Sequence, residues 1–203
     1  MQAYDFEPKK WPRQARSRAT FEALVEACTQ LLAERGYQGV TTNHVAERAG
    51  VAIASLYEYF PNKDALVAQV AEQLVQRVMR QLSAEVPRVL RQKPGQAAAS
   101  WIAAIYRILR RERALLMVFH YQVPYTNRLP AVQRIRPRLT QFTSAMYRQA
   151  GEQVHLDSPG TSLYLLMLLV STTIVELIVN PPSDMDPADV LADLAQRVTD
   201  WVR

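Results

Sequence analysis

Residues 40–63 read VTTNHVAERAGVAIASLYEYFPNK, and this stretch decides the fold. Thr41 or Thr42 can cap a first short helix, because a threonine oxygen accepts the free N–H groups of the first turn. Gly50 ends that helix, since glycine enters the left-handed backbone region without steric cost. A second short helix follows, and Pro61 stops it or opens the next helix. Two short helices joined by a glycine-containing turn predict a helix-turn-helix, whose second helix can enter a major groove.

Longer helices are predicted on both sides of this pair. The preceding helix runs over about residues 14–35 and ends at Gly36. The following helix opens at Asn62, which can cap it, and its apolar residues keep helical spacing until Pro87 ends or kinks it. We therefore predict a three-helix domain over residues 14–62, with the helix-turn-helix at about 41–60 and an arm of residues 1–13 before it.

These helices resemble the N-terminal signature of the tetracycline-repressor (TetR) family of bacterial transcription regulators. The resemblance covers roughly residues 16–66, about a quarter of the chain. It implies a small three-helix DNA-binding domain on an all-helical domain that senses a ligand and forms dimers. The agreeing positions are Gly36, Tyr37, Thr41, Thr42, Val45, Ala46, Ala49, Gly50, Val51, Leu56, Tyr57, Tyr59, Phe60, Asn62, Lys63 and Leu66.

The second helix of the pair is expected to read DNA bases with its first residues. These residues are Ala52, Ile53, Ala54 and Ser55. Small apolar side chains can touch thymine methyl groups but form few hydrogen bonds, so we expect His44 or Arg48 of the preceding helix, the arm, or DNA shape to add sequence preference. Thr42 is expected at a phosphate because helix N-termini bind anions. The resemblance implies phosphate contacts from Tyr57 and Lys63, and a DNA contact is also expected from Tyr59, where the family more often has histidine.

The positive charge of the N-terminal part is concentrated ahead of the helix-turn-helix. Residues 9–18 hold five basic residues and no acidic one, whereas residues 19–66 hold three basic and six acidic residues. Because electrostatic attraction supplies much of DNA affinity, we expect the arm and the start of the first helix to contact phosphates. The residues are Lys9, Lys10, Arg13 and Arg16. A solvated, disordered tail is the alternative for residues 1–12.

Composition points to an all-α protein. The chain has 203 residues, 49% of them hydrophobic and 21% charged, with a formal net charge of +5 and few glycines. Its single cysteine, Cys28, excludes an internal disulfide and is expected to be a small buried group. The sequence begins without a basic-then-apolar leader pattern, so we expect a cytoplasmic location.

Residues 63–203 are predicted to form a larger helical bundle for ligand binding and dimerisation. Its most apolar stretch, residues 161–179, approaches the length of a membrane span. Glu176 and the absence of a partner span argue against that reading, so we expect a helix buried in the bundle or at a subunit interface. A last amphipathic helix is predicted from Pro187 through Val202. We expect a homodimer through residues 161–180 and 187–202 and no membrane partner.

Aromatic and methionine side chains within residues 96–180 can line an apolar pocket, although plain core packing is the alternative for each of them. His120 and Glu176 interrupt apolar runs, so a buried, hydrogen-bonded side chain is expected at both, with an arginine of residues 128–148 facing Glu176. The effector is expected to be apolar or cationic. The candidate pocket residues are Trp101, Tyr106, Met117, His120, Tyr121, Tyr125, Phe142, Met146 and Glu176.

Four arginines, Arg107, Arg110, Arg111 and Arg113, cluster near the end of one predicted helix. A solvated helix end explains them, because cations favour the carbonyl end of a helix. A second nucleic-acid surface is the alternative.

Enzymatic chemistry is not expected. The three histidines lie far apart in the sequence, and neither a metal-binding spacing, a phosphate-binding glycine loop nor a nucleophile elbow is present, so we predict no cofactor and no metal. The sequence favours a repressor that binds a palindromic operator as a dimer and is released by a ligand. A helical protein-interaction adaptor is the alternative.

Overall fold

The computed structural model describes residues 4–151 and 154–201, and the regular secondary structure of these residues is helical. Ten α-helices and one 3₁₀ turn, at Thr126–Arg128, follow one another along this part of the chain. The all-α prediction is confirmed. The α-helices are α1 Ala15–Arg35, α2 Thr42–Ala49, α3 Ile53–Tyr59, α4 Lys63–Val89, α5 Pro94–Arg111, α6 Arg113–Tyr121, α7 Pro130–Gln133, α8 Ile135–Ala150, α9 Pro159–Val179 and α10 Pro187–Trp201.

The described residues divide into two compact units. The first holds residues 4–76 and 114–133, and the second holds residues 77–113 and the described part of 134–201. Helix α4 contributes to both units, because the division falls after Gln76. The boundary expected at residue 62 from the sequence stays a prediction.

Local signals fix the ends of α2. Thr41 is the cap, since its hydroxyl accepts a hydrogen bond of 3.2 Å from the His44 amide. Gly50 follows the helix with φ 67° and ψ 30°, in the left-handed region, and its N–H returns to the carbonyls of Ala46 and Glu47. The turn predicted from the glycine is therefore confirmed.

The first unit has a continuous apolar core. Side chains from α1, α2, α3 and α4 pack there with almost no exposed surface, and the rings of Phe21 and Phe60 lie 4.8 Å apart. Asn62 caps α4, since its side-chain oxygen accepts a 2.8 Å hydrogen bond from the Ala65 amide. Cys28 is fully buried, and burial raises the pKa of its thiol to about 12. The expectation of a small buried group at this position is confirmed.

In the second unit, α5 packs against α9 and α10, and α8 packs against α9. The first turn of α5 lies beside the end of α10, because a side chain on Gly95 would contact Thr199. The Arg113 side chain donates a 3.0 Å hydrogen bond to the Ile178 carbonyl, near the end of α9. Because the start of α5 lies beside the end of α10, these two packed helices run antiparallel, as neighbours in a bundle commonly do.

Some helix ends differ from the sequence prediction. Helix α4 continues for two residues beyond Pro87. Pro137 predicts a break in a helix over residues 131–150, but the break lies earlier, at Arg134. Pro137 stands in the first turn of α8, where its missing N–H removes no helical hydrogen bond. Val202, the predicted end of the last helix, lies outside the described residues.

Helix α9 is the one described helix that length and composition would allow to cross a membrane, with a mean hydropathy of 2.1 in its most apolar window. Only 33% of that window is buried within the single chain. Four of its exposed side chains form a stripe at i, i+1, i+4 and i+5 spacing: Tyr164, Leu165, Leu168 and Leu169. An apolar face of this kind marks an interaction surface.

Candidate DNA-binding site

Helix α3 presents a short exposed face at its N-terminal end. Leu56, Tyr59 and Phe60 turn inward and are at most 6% exposed, which anchors the helix to the core. Ala52, Ile53 and Ala54 are exposed, with 38% of Ile53 open to solvent, and Ser55 is half-buried. The four residues expected to face bases therefore lie together at the start of α3. Their placement suits contact with a groove, and their role stays a prediction.

Three residues expected to contact phosphates lie on α2, α3 and α4. The hydroxyls of Thr42 and Tyr57 lie 3.0 Å apart, and 42% of the Tyr57 side chain is exposed. Lys63, at the start of α4, donates a 3.2 Å hydrogen bond to the Tyr37 carbonyl and lies 3.8 Å from the centroid of the Tyr37 ring. An ammonium group has three donors, so Lys63 keeps hydrogen-bonding capacity for a phosphate.

His44 is half-buried in α2. Its Nδ1 lies 3.3 Å from the Gly39 carbonyl oxygen, which can only accept a hydrogen bond. This contact places the ring proton on Nδ1 in the neutral side chain and leaves Nε2 as an acceptor. The second ring nitrogen is then the one that can accept a hydrogen bond from a base.

The expected DNA contact of Tyr59 has to be corrected. Its side chain is 6% exposed, its ring meets the Phe21 ring edge-on at 5.8 Å, and the Lys10 ammonium covers it at 4.8 Å. Tyr57 and Tyr59 stand two residues apart on a helix, so they point to different sides. The packing of α3 turns Tyr57 outward and Tyr59 into the core.

Two acidic residues near the helix-turn-helix, Glu34 and Glu58, are paired with basic residues of the protein itself. Arg48 forms a bidentate ion pair with Glu34 on α1 at 2.8 and 2.9 Å, and this hydrogen bonding lowers the pKa of the Glu34 carboxyl. Lys10 pairs with Glu58 at 2.7 Å. Arg48, a further source of sequence preference in the sequence reading, is thus held against α1.

The arm is folded against the first unit over its described residues. The Lys9 amide donates to the Tyr59 carbonyl at 2.7 Å, and the Lys9 ammonium donates to the Tyr57 carbonyl at 3.0 Å. Arg13 and Arg16 are exposed near the start of α1. The disordered-tail alternative is therefore wrong for residues 4–12. The DNA contacts expected of Lys9 and Lys10 stay a prediction, although both side chains already have partners in the protein.

Sequence reasoning missed an aromatic cluster beneath the arm. The rings of Tyr4 and Phe6 lie 4.7 and 5.2 Å from that of Tyr125, which is 2% exposed. The hydroxyls of Tyr125 and Tyr37 both donate to Asp64 Oδ1, at 2.6 and 2.9 Å. Burial raises the pKa of both tyrosines. The alternation of Tyr4 and Phe6 was the only signal in the sequence, and it is too short to identify a partner.

The residues expected to line an effector pocket fall into both compact units. Met117, His120, Tyr121 and Tyr125 belong to the first unit, and Tyr125 is part of its core. In the second unit Trp101 stacks on Phe142 at 5.0 Å, and Tyr106 and Met146 are half-buried.

The expected burial of His120 and Glu176 is wrong. Both side chains are exposed in the single chain. His120 lies against the Tyr121 ring, and the Glu176 carboxylate accepts a 2.9 Å hydrogen bond from Asn180, one helical turn further along. In the single chain, both side chains lie on the exposed side of their helices.

An open cleft of about 400 Å³ lies on the outer face of α5 in the second unit. It is lined by Tyr106, Arg107, Arg110 and Arg111, and the Arg110 guanidinium lies 5.9 Å from the Tyr106 ring centroid. Arg107 pairs with Glu85, which also pairs with Arg88. Among the described residues, no cluster of three or more histidine, cysteine, aspartate or glutamate side chains could hold a metal ion.

Comparison with known proteins supports the DNA-binding reading. Residues 24–70 match the family "Bacterial regulatory proteins, tetR family". An HTH-type transcriptional regulator of Mycobacterium tuberculosis is 38% identical over 79 residues, which are 39% of this chain and 37% of that protein. The class C tetracycline repressor protein of Escherichia coli is 41% identical over 54 residues, 27% of this chain and 25% of that one. The chain thus matches about a third of the length of such curated relatives.

Structural similarity extends over nearly the whole chain. The transcriptional regulator FadR of Bacillus subtilis, solved in complex with stearoyl-CoA, superposes with a TM-score of 0.68. The superposition covers 90% of this chain and 100% of FadR at 13% sequence identity. At that identity the likeness establishes a shared fold.

Proposed function

Because this chain is a TetR-family transcriptional regulator with a DNA-binding helix-turn-helix, we propose that it acts as a repressor. A dimer binds a palindromic operator, and a small-molecule effector releases it. The observation that carries the proposal is the start of α3, where Ala52, Ile53 and Ala54 are exposed while Leu56 and Phe60 anchor the helix. We assign the chain no enzymatic activity, since regulators of this family are DNA-binding proteins.

On DNA, the start of α3 faces base edges, and Thr42, Tyr57 and Lys63 contact the DNA backbone. Ile53 offers a methyl-rich surface to thymine, and Ser55 can donate or accept a hydrogen bond. Thr42 and Tyr57 offer hydroxyls to phosphates, and Lys63 offers a charge. With so few hydrogen-bonding groups on α3, discrimination among sequences also draws on His44 and on DNA shape.

Dimerisation is assigned to α9 and α10. The apolar stripe of Tyr164, Leu165, Leu168 and Leu169 supplies surface whose burial is favourable, at roughly 25 cal/mol per Å² of apolar area. Trp201, on α10, is 41% exposed and extends the apolar surface of this unit. A two-fold axis through such a pair of helices gives a four-helix interface. The proposed role as a DNA-binding repressor places the protein in the cytoplasm.

The effector is expected to carry an apolar body and an anionic group. Three arginines line the cleft on α5; Arg107 is paired with Glu85, and the charges of Arg110 and Arg111 favour an anion over a cation there. Guanidinium groups bind carboxylates and phosphates with paired hydrogen bonds. The complex of FadR with stearoyl-CoA gives an example of such a ligand in a related fold.

Gel-shift titration with the DNA upstream of the protein's own coding sequence tests the repressor proposal. We expect a discrete complex at protein concentrations that leave unrelated DNA of the same length free. A variant with Ile53→Glu and Ser55→Glu should lose the complex without losing stability, because both side chains lie outside the fully buried core. Equal affinity of the wild type for operator and unrelated DNA would contradict the proposal.

Release by ligands tests the effector class. Stearoyl-CoA and stearate should dissociate the operator complex, whereas an alkyl-trimethylammonium of equal chain length should not. The variant Arg110→Gln with Arg111→Gln should need higher concentrations of the anions, and Arg91→Gln, an exposed arginine outside the cleft, serves as the matched control. Release by the cation alone would contradict an anionic effector.

A further inference from the structure

The end of α3 lacks the capping arrangement that usually completes a helix. The helix has seven residues, and Phe60 follows it in an extended conformation instead of a left-handed glycine. The Phe60 amide bonds to the Leu56 carbonyl, so the carbonyls of Tyr57 and Tyr59 need donors from outside the helix. Short helices depend strongly on such terminal contacts.

Lys9 supplies these donors. Its amide donates to the Tyr59 carbonyl and its ammonium to the Tyr57 carbonyl, at 2.7 and 3.0 Å. A positive charge at this end also interacts favourably with the helix dipole. Lys10 adds an ion pair with Glu58, within the same last turn of α3. The arm thus closes the end of the reading helix from outside.

The other end of the arm is fixed by aromatic packing. Tyr4 and Phe6 stack on each other at 5.5 Å and pack on Tyr125, and the Arg128 guanidinium lies 5.6 Å from the Tyr4 ring centroid. Tyr125 is held in turn by its hydrogen bond to Asp64 at the start of α4. Pro8, between the two anchors, is buried and fixes its own backbone φ angle.

We propose that residues 4–10 form a strap that positions α3 for DNA by capping its end and joining it to Tyr125. Lys9 and Lys10 are then positioning residues that act through α3 and do not bind phosphates. The effect of the strap on operator binding rests on the proposed function. The contacts from which the strap is inferred all lie within the first unit. Loosening the strap at Tyr4 and Phe6 frees the end of α3 and weakens operator binding.

Two variants of the basic arm separate positioning from phosphate contact. Lys9→Met keeps an apolar stem and the backbone amide but removes the ammonium donor to the Tyr57 carbonyl, whereas Arg13→Met removes an exposed cation of the same arm. For Lys9→Met we expect operator affinity to fall about threefold to tenfold with an unchanged salt slope, and faster hydrogen exchange of residues 53–60. For Arg13→Met we expect a salt slope smaller by about 1 and unchanged exchange. Lys9→Arg should restore the wild-type behaviour.

An uncharged variant gives an independent test. Phe6→Ala removes no charge, so a loss of affinity together with faster exchange of residues 53–60 would support the strap. A smaller salt slope and normal exchange in Lys9→Met, or normal affinity and exchange in Phe6→Ala, would overturn it. Exchange is measured without DNA on variants whose circular dichroism matches the wild type. If the wild-type protein bound no DNA, the proposed function would fail while the exchange data would still decide on the strap.

Discussion

The hydroxyl groups of Thr42 and Tyr57 lie 3.0 Å apart, and this contact ties the first residue of α2 to the outer face of α3. Each hydroxyl can donate one hydrogen bond and accept two, so a phosphate oxygen can join the pair without breaking it. The contact therefore prepares two neighbouring groups for one DNA backbone before DNA arrives. Such preorganisation lowers the entropic cost of binding.

Tyr57→Phe should weaken binding to the operator and to unrelated DNA by the same factor. Removing a neutral hydrogen bond of about 1 kcal/mol corresponds to about fivefold in affinity. The salt slope should not change, because no charge is lost. Fluorescence anisotropy at several salt concentrations measures both quantities. A loss confined to the operator would show that Tyr57 reads bases.

Lys63→Met should also weaken binding to all sequences, but with a salt slope smaller by about 1, because one cation no longer displaces counterions. Methionine keeps the apolar stem that lies against Tyr37. Lys93→Met, at an exposed lysine in the second unit, is the control and should leave the slope unchanged. Equal salt slopes for Lys63→Met and Lys93→Met would show that Lys63 does not contact a phosphate.

Gly50→Ala should destabilise the protein by about 1 kcal/mol, because alanine is strained in the left-handed region. The space is open, since no atom lies within 4 Å of the position where its Cβ would stand. Gly160→Ala is the matched control, with equally open space but no positive φ. Thermal unfolding should show a melting temperature lower by about 3 °C for the first variant only. Equal melting temperatures would mean that the turn relaxes around alanine.

Stability should fall at alkaline pH because of Tyr125. Burial and the hydrogen bond to Asp64 raise the pKa of its hydroxyl far above the ordinary value of about 10. Above pH 10 the unfolded chain loses this proton and the folded chain keeps it, so the unfolded state binds fewer protons and the free energy of unfolding decreases as pH rises. Tyr125→Phe should be less stable than the wild type at pH 8 but should lose less stability between pH 9 and 11.

Urea unfolding at several pH values measures this effect. Tyr121→Phe, at a ring that is 57% exposed, serves as control and should follow the wild type. If Tyr125→Phe lost as much stability as the wild type above pH 10, the buried hydroxyl would not be the origin of the alkaline decrease.

Leu168→Glu should convert the dimer into a monomer and abolish operator binding. The side chain lies in the exposed apolar stripe of α9, where a charge would be buried without a partner on dimerisation. Gln141→Glu, on the exposed side of α8, adds the same charge outside the stripe. Sedimentation equilibrium gives the oligomeric state. A dimer that persists in Leu168→Glu would move the interface away from this stripe.

The local structure around the helix-turn-helix was predictable because short-range rules determine it. Thr41, Gly50 and Asn62 carry side chains or backbone preferences that act within a few residues, and the helix ends follow them. Helical spacing predicts Ile53, Leu56 and Phe60 as packing positions; Leu56 and Phe60 are buried, whereas Ile53 is 38% exposed. The start of α3 as the exposed candidate face came from this local reading and from the family resemblance.

Contacts between residues distant in sequence could not be predicted. The strap joins Lys9 to Tyr59 and Phe6 to Tyr125, separations that no periodic pattern encodes. Burial of Tyr59 depends on how α3 packs on α1, and exposure of Glu176 depends on which side of α9 meets the bundle. An apolar run in the sequence indicates a helix with much apolar surface, but it does not say which residues face solvent.

Selection of duplexes from a random DNA library, followed by footprinting and measurement of stoichiometry, tests the central claim most directly. We expect an inverted repeat whose half-sites lie about 34–36 Å apart, or at a related spacing, bound by two chains per duplex through α3. Enrichment of no sequence above non-specific binding, or a single chain on each selected duplex, would contradict the account.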